Sequence, residues 1–287
     1  MIPGRVKGHV RSTLRNTITS GRKLGFFPTR RFALICHQRS GSNMLTSVFN
    51  QHPEVIMRGQ ILRDDPEYQR QLQEMGMLPF TGQLFDDSVE GRQRFDTLQE
   101  QPDEREPRNT AAVIESFYRS QGYDSHRSMI GIKFHGGTMY RDEIEEIFLG
   151  DDPTYSILVL HRENLLAAGI SWYQARMLDQ WVSKSPDIKK PAIEIDIPTL
   201  RDFVLRTRDD VAEWKALLAK HQHPYLELTY EQITAADFSY DPIWQHLGVE
   251  SIPTPKPKTY KLLKDYSHIS NIAAIRAEFA GMGLGEV

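Results

Sequence analysis

The 287-residue sequence predicts an α/β fold of three layers, a central parallel sheet of about five strands with helices on both faces. Three observations carry that expectation. Short apolar runs punctuate the chain at intervals. Between them lie segments whose apolar residues recur at helical spacing. Strand and helix segments alternate instead of falling into blocks, and alternation gives parallel pairing because each helix returns the chain to its starting edge. No internal repeat is visible, and 39% apolar content suffices for one good core. A single domain over 32–287, preceded by a basic arm at 1–31, is the simplest division.

The first strand runs from Phe32 to Cys36. A turn of small and polar residues follows, and then Met44, Leu45, Val48 and Phe49 recur as one face of a helix. Pro53 breaks that pattern, Glu54 to Met57 reads as a second strand, and Arg58-Gly59-Gln60 as the polar turn that ends it. A polar insertion follows at about 61–125, with Asp64-Asp65 and the run Gln99 to Pro107. It reads as a surface excursion with short helices, a lid over an acceptor, closing with a helix at about 109–121. Met129 to Phe134 is a third strand entering His135-Gly136-Gly137, and Arg141 to Phe148 is a short acidic helix. Ser156 to Leu160 is the most continuous strand, leading through His161-Arg162-Glu163-Asn164 into a helix from about Leu165 to Val182. Leu200 to Lys220 is a long amphipathic helix, Tyr225 to Thr229 a fifth strand, and Asp241 to Leu247 a helix. An extended Pro253 to Lys258 linker leads to a last helix near Ile272–Phe279.

Composition narrows the classes of function. Cys36 is the only cysteine and sits in an apolar strand, so a disulfide framework is excluded and a reducing compartment is expected. No run of 18 apolar residues occurs, so no segment is expected to span a membrane. Net charge is −3, but residues 1–31 carry eight basic side chains and no Asp or Glu. The remainder is therefore at about −11, which argues against a nucleic-acid-binding body. The arm is a solvated tail, a transit peptide or a contact for an anionic membrane surface; a cytoplasmic, membrane-peripheral protein is the expectation.

Strand, glycine-containing turn and helix is the arrangement that cradles a phosphate, because backbone N–H groups and the helix N-terminus both face the turn. Arg39 adds a planar donor fork, Ser40, Ser42 and Asn43 add side-chain donors, and Gly41 permits close backbone approach. The nucleotide-hydrolase loop, with two glycines separated by four residues and then Lys-Ser/Thr, is absent. An anion bound without a metal is the better expectation.

Gln38-Arg39-Ser40-Gly41-Ser42-Asn43-Met44-Leu45 resembles the 5′-phosphosulfate loop of sulfotransferases that use 3′-phosphoadenosine 5′-phosphosulfate (PAPS). It is most similar to that of bacterial carbohydrate and glycolipid sulfotransferases, whose fold is P-loop-like. Golgi-type relatives differ in carrying an N-terminal anchor. The resemblance implies that Arg39 to Met44 hold the 5′ end of the donor. It also implies that Arg162 and Ser171 hold the 3′-phosphate, although Ser171 stands nine positions after Arg162, one more than the family's usual interval. Leu228 to Ile233 resembles the family's Tyr-Glu-Asp-Leu stretch, which places Tyr230 near adenine, with Gln232 in place of Asp. Ile243 to Val249 resembles the helix ending in Leu-Gly-Val, and Lys258, Lys261 and Lys264 are candidates for a basic segment over the 3′-phosphate. The implied reaction moves a sulfuryl group from PAPS to a carbohydrate or glycolipid hydroxyl, releasing 3′-phosphoadenosine 5′-phosphate (PAP).

Such a reaction is helped by a base for the acceptor proton. Relatives carry Glu in a Gly-Glu context after the second strand, whereas this chain has Gly59-Gln60, and an amide can only orient a hydroxyl. His135 is the preferred base, with Asp64 or Asp65 as another and inefficient turnover as a third explanation. Two rivals remain open: a catalytically weak PAPS- or PAP-binding protein on the same fold, and a nucleotide kinase-like phosphotransferase. Trp172, Tyr173 and Trp181 read as core aromatics or as sugar-stacking surfaces.

Overall fold

The structure is a computed structural model that describes residues 30–62, 70, 73–74, 89–105, 108–124, 127–136, 139–149, 155–178, 191–253, 255 and 266–287. Among these, five strands form one parallel sheet: β1 (Arg30–Cys36), β2 (Val55–Gln60), β3 (Met129–His135), β4 (Tyr155–His161) and β5 (Tyr225–Thr229). Their order is β2-β3-β1-β4-β5, with β1 at the centre. The helices are α1 (Ser42–Phe49), α2 (Val89–Glu100), α3 (Thr110–Asp124), α4 (Arg141–Phe148), α5 (Leu165–Leu178), α6 (Ile197–Lys220), α7 (Tyr230–Ile233), α8 (Asp241–Leu247) and α9 (Ile272–Phe279). No helix among the described residues is long and apolar enough to cross a membrane.

The three layers follow from the period of two along each strand. Phe32, Leu34 and Cys36 of β1 enter one core with Leu45, Val48 and Phe49 of α1 and Ile243, Trp244 and Leu247 of α8. Ala33 and Ile35 point the other way, into a core with Val113, Ile114 and Phe117 of α3, Ile144 and Phe148 of α4, and Trp214 and Leu218 of α6. A third cluster joins α5, α6 and α9 through Leu166, Ile170, Leu200, Val204, Ile275 and Phe279. All five apolar residues of β1 from Phe32 to Cys36 are sealed from solvent, which explains why the run is continuous rather than alternating.

Several boundaries differ from the sequence expectation, each for a physical reason. The second strand does not stop at Met57 but continues through Arg58-Gly59-Gln60, because Gln60 still pairs with Lys133 across a register irregularity. Pairing satisfies the backbone whatever the polarity of the side chains, and the irregularity absorbs the extra residue. The first strand starts at Arg30, so two arginines counted in the basic arm belong to the fold. Arg30 donates to the carbonyls of Leu247 (3.2 Å) and Gly248 (2.7 Å), closing the C-terminus of α8, and Arg31 pairs with Glu115 at 2.7 Å. Helix α6 starts three residues early because the Asp196 carboxylate accepts from Thr199 N at 2.9 Å, with Pro198 in the first turn. Trp172 is a core residue, stacked on Phe203 with ring centroids 4.3 Å apart. The arm at 1–29, Asp64, Asp65, Gly137, the 179–182 end of the expected helix, Trp181, Lys256, Lys258, Lys261 and Lys264 lie outside the described residues.

Candidate functional site

The carboxyl edges of β1, β3 and β4 meet the turn between β1 and α1. Arg39 (φ 64°) and Gly41 (φ 88°) both adopt the left-handed backbone conformation, which folds His37–Gly41 into a tight loop. Ser40 Oγ donates to His37 O at 2.7 Å and locks it. Gly41 is required twice over: by its φ, and because a Cβ there would lie 2.9 Å from Tyr230 Cδ2. No side chain caps α1 and its first turn holds no acidic residue, so its N-terminal partial charge faces the loop.

Residues far apart in sequence converge here. Arg39 Nε donates to Ser171 Oγ on α5 at 2.9 Å. Arg162, just past β4, lies 4.4 Å from the centroid of the Tyr230 ring, whose edge packs on Gly41. Glu231 Oε1 faces Arg162 Nε at 3.8 Å. Burial lowers the pKa of Arg39, and the nearby charge of Arg162 lowers it further. Two guanidiniums therefore stand close enough to repel. The Glu231 carboxylate accepts from Glu163 N (3.0 Å) and Asn164 N (3.3 Å), and Asn164 Oδ1 caps α5 by accepting from Ala167 N (2.8 Å). From Leu165 the helix is unbroken; Ile170 faces the core and Ser171 the loop. Gln232 completes a capping box with Thr229, whose N donates to Gln232 Oε1 at 2.9 Å.

Lys133 is a site residue that the motifs do not indicate. It is 5% exposed, and its Nζ donates to Asn43 Oδ1 at 2.7 Å, so its partner among the described residues is a neutral amide. Burial lowers its pKa. The available signal is a lysine inside an apolar strand, Ile130-Gly131-Ile132-Lys133-Phe134. Tyr266 also reaches the site, close enough to Arg162 and Tyr230 to feel both, and burial raises its pKa. Met44 packs against the α1 core, and the Cys36 thiol is pushed up to about 11 by burial, so it stays protonated. Gln60 closes β2 with its backbone opposite Lys133. Lys261 and Lys264 are outside the described residues.

His135 follows two residues after Lys133 on the same strand face, and its Nε2 is sealed from water. Burial, reinforced by the Lys133 charge, lowers its pKa from 6.5 to about 3. A ring that stays neutral down to such acid conditions accepts protons poorly near neutrality, which argues against the base role expected from sequence. The same shift has a stability consequence. Between pH 6.5 and about 3 the unfolded chain binds the proton that the folded ring refuses, so stability falls as pH falls below 6.5. The expected loss is about 1.4 kcal/mol per pH unit in that window. Urea denaturation at pH 7.5 and 5.5 should show a larger loss in wild type than in His135→Gln, where the half-buried His246, whose pKa burial also lowers, still contributes in the same direction.

No protein-family model and no curated protein matches the chain. Among solved structures, the sulfotransferase domain of the Synechococcus PCC 7002 olefin synthase is similar at TM-score 0.43 and 18% identity, covering 79% of this chain and 76% of that one. Sulfotransferase STF1 from Mycobacterium tuberculosis H37Rv is similar at 0.46 and 12%, covering 83% and 73%. Sulfotransferase STF9 from Mycobacterium avium is similar at 0.45 and 13%, covering 94% and 80%.

Proposed function

We propose that the protein is a PAPS-dependent sulfotransferase that acts on a hydroxyl of a carbohydrate or glycolipid. The convergence of Arg39, Arg162 and Lys133 on one strand-to-helix loop is the observation that supports it most. Holding a cation away from water costs several kcal/mol, and like charges nearby add to the cost. A ligand with several negative charges offsets both, so the donor set fits a doubly phosphorylated nucleotide. The loop N–H groups, Arg39 and Ser40 to Met44 suit the 5′-phosphosulfate; Arg162 and Ser171 suit the 3′-phosphate; Tyr230 offers a flat face to adenine. The donor supplies an activated sulfuryl group whose leaving group is a phosphate, and Arg39 with Lys133 neutralises the charge that develops there.

The protein is read as cytoplasmic and membrane-peripheral. With Arg30 and Arg31 withdrawn into β1, six basic residues of the arm remain to meet an anionic surface. A second reading, a PAP-binding protein with little turnover, is favoured by Gln60 and by the low basicity of His135. Incubation with sulfur-labelled PAPS and either trehalose or a glycolipid separates the two. Labelled product supports the enzyme, PAP binding without product supports the second reading, and neither sinks both.

A further inference from the structure

The start of the loop holds a further feature, next to helix α6. A small cleft of about 40 Å³ lies there, lined by His37, Gln38, Gly136, Phe203, Thr207 and Asp210, with Arg206 at its wall. His37 and Gln38 are the residues immediately before Arg39, so the cleft abuts the loop itself. The His37 ring stacks on Trp214 of α6 with centroids 4.5 Å apart, which turns the start of the loop toward that helix. At the carboxyl end of β3, Gly136 is pressed against the same helix. A Cβ on it would lie 2.5 Å from Trp214 Cζ2 and 3.1 Å from Asp210 Oδ2. A half-buried carboxylate thus stands beside Gly136 at the carboxyl end of β3, next to the start of the β1–α1 loop.

We propose that this cleft receives the acceptor hydroxyl and that Asp210 is the catalytic residue that takes its proton. The inference rests on the sulfotransferase reading and names the acceptor side of that same site. As the acceptor oxygen bonds to sulfur, its proton passes to Asp210 Oδ2. The bond from sulfur to the 5′-phosphate oxygen breaks, its electron pair leaves on the phosphate of PAP, and solvent later removes the proton from Asp210. This assigns the carboxylate role that Gln60 cannot fill, and it comes from a helix instead of the strand after α1. His37 and Arg206 are the titratable and charged groups lining the cleft with Asp210.

The test compares wild type, Asp210→Asn and Asp210→Glu by PAP release from PAPS with octyl β-D-glucopyranoside present, which counts transfer to glycoside or to water alike. PAP affinity is measured on each by calorimetry. The expected result is a loss of roughly 100-fold or more in kcat for Asp210→Asn, with PAP affinity within about twofold of wild type. The acid limb of the wild-type pH profile should vanish in Asp210→Asn and survive in Asp210→Glu, which a merely structural side chain would not cause. An Asp210→Asn rate within about threefold of wild type overturns the proposal. So does wild type that binds PAP yet releases none above the uncatalysed rate, and in that case the nucleotide reading still stands. Folded wild type that binds no PAP removes the reading beneath it.

Discussion

Arg39→Ala is expected to weaken PAP binding by roughly 30- to 150-fold. The side chain offers a charge-assisted pair of donors from a protected site, and such contacts contribute about 2–3 kcal/mol. A tenfold change corresponds to about 1.4 kcal/mol, which sets the range. The effect on the fold should run the other way. Burial and the charge of Arg162 already disfavour the Arg39 guanidinium, so its removal relieves repulsion. The left-handed backbone at position 39 is a separate matter, since alanine is strained there and gives back part of that gain. Thermal melting should therefore show a variant close to wild type in stability while calorimetry shows the lost affinity. An unchanged affinity for PAP would remove Arg39 from the site.

Lys133→Met is expected to stabilise the protein and disable it at once. Lys133 is a buried ammonium whose hydrogen-bond partner is the exposed, neutral Asn43, which water can satisfy after the change. Replacing such a buried charge with an apolar chain of similar length should raise stability by about 1 kcal/mol, a few degrees in Tm. Turnover should fall by roughly 100- to 1,000-fold, as when one donor to a developing oxyanion is removed. Urea denaturation and PAP release on the same preparation give both numbers. A variant that loses stability while keeping its rate would make Lys133 a packing residue only.

The sheet is legible in the sequence because the inner strands are sealed on both faces, so Phe32 to Cys36 and Ile157 to Leu160 have to be continuous apolar runs. The length of β2 is concealed, since polar Gln60 pairs through its backbone beyond a register irregularity. Arg30 and Arg31 look like part of a basic tail, because a count of charges does not show that one caps α8 and the other pairs with α3. In the site, Arg39, Ser171, Arg162 and Tyr230 are legible from motif and order, and the structure brings all four together. Lys133 is hidden by the hydropathy of the strand that carries it. Asp210 is inconspicuous because a carboxylate on an amphipathic helix ordinarily belongs to the solvated face. Only the approach of α6 to Gly136 shows otherwise.

The central claim, that the cations around the β1–α1 loop hold a doubly phosphorylated nucleotide, is tested most directly by calorimetric titration of wild type with PAP in magnesium-free buffer. PAP carries both phosphates and needs no acceptor. The expected result is a single site of about micromolar affinity, near −8 kcal/mol. Well-folded protein that takes up no PAP would contradict the claim.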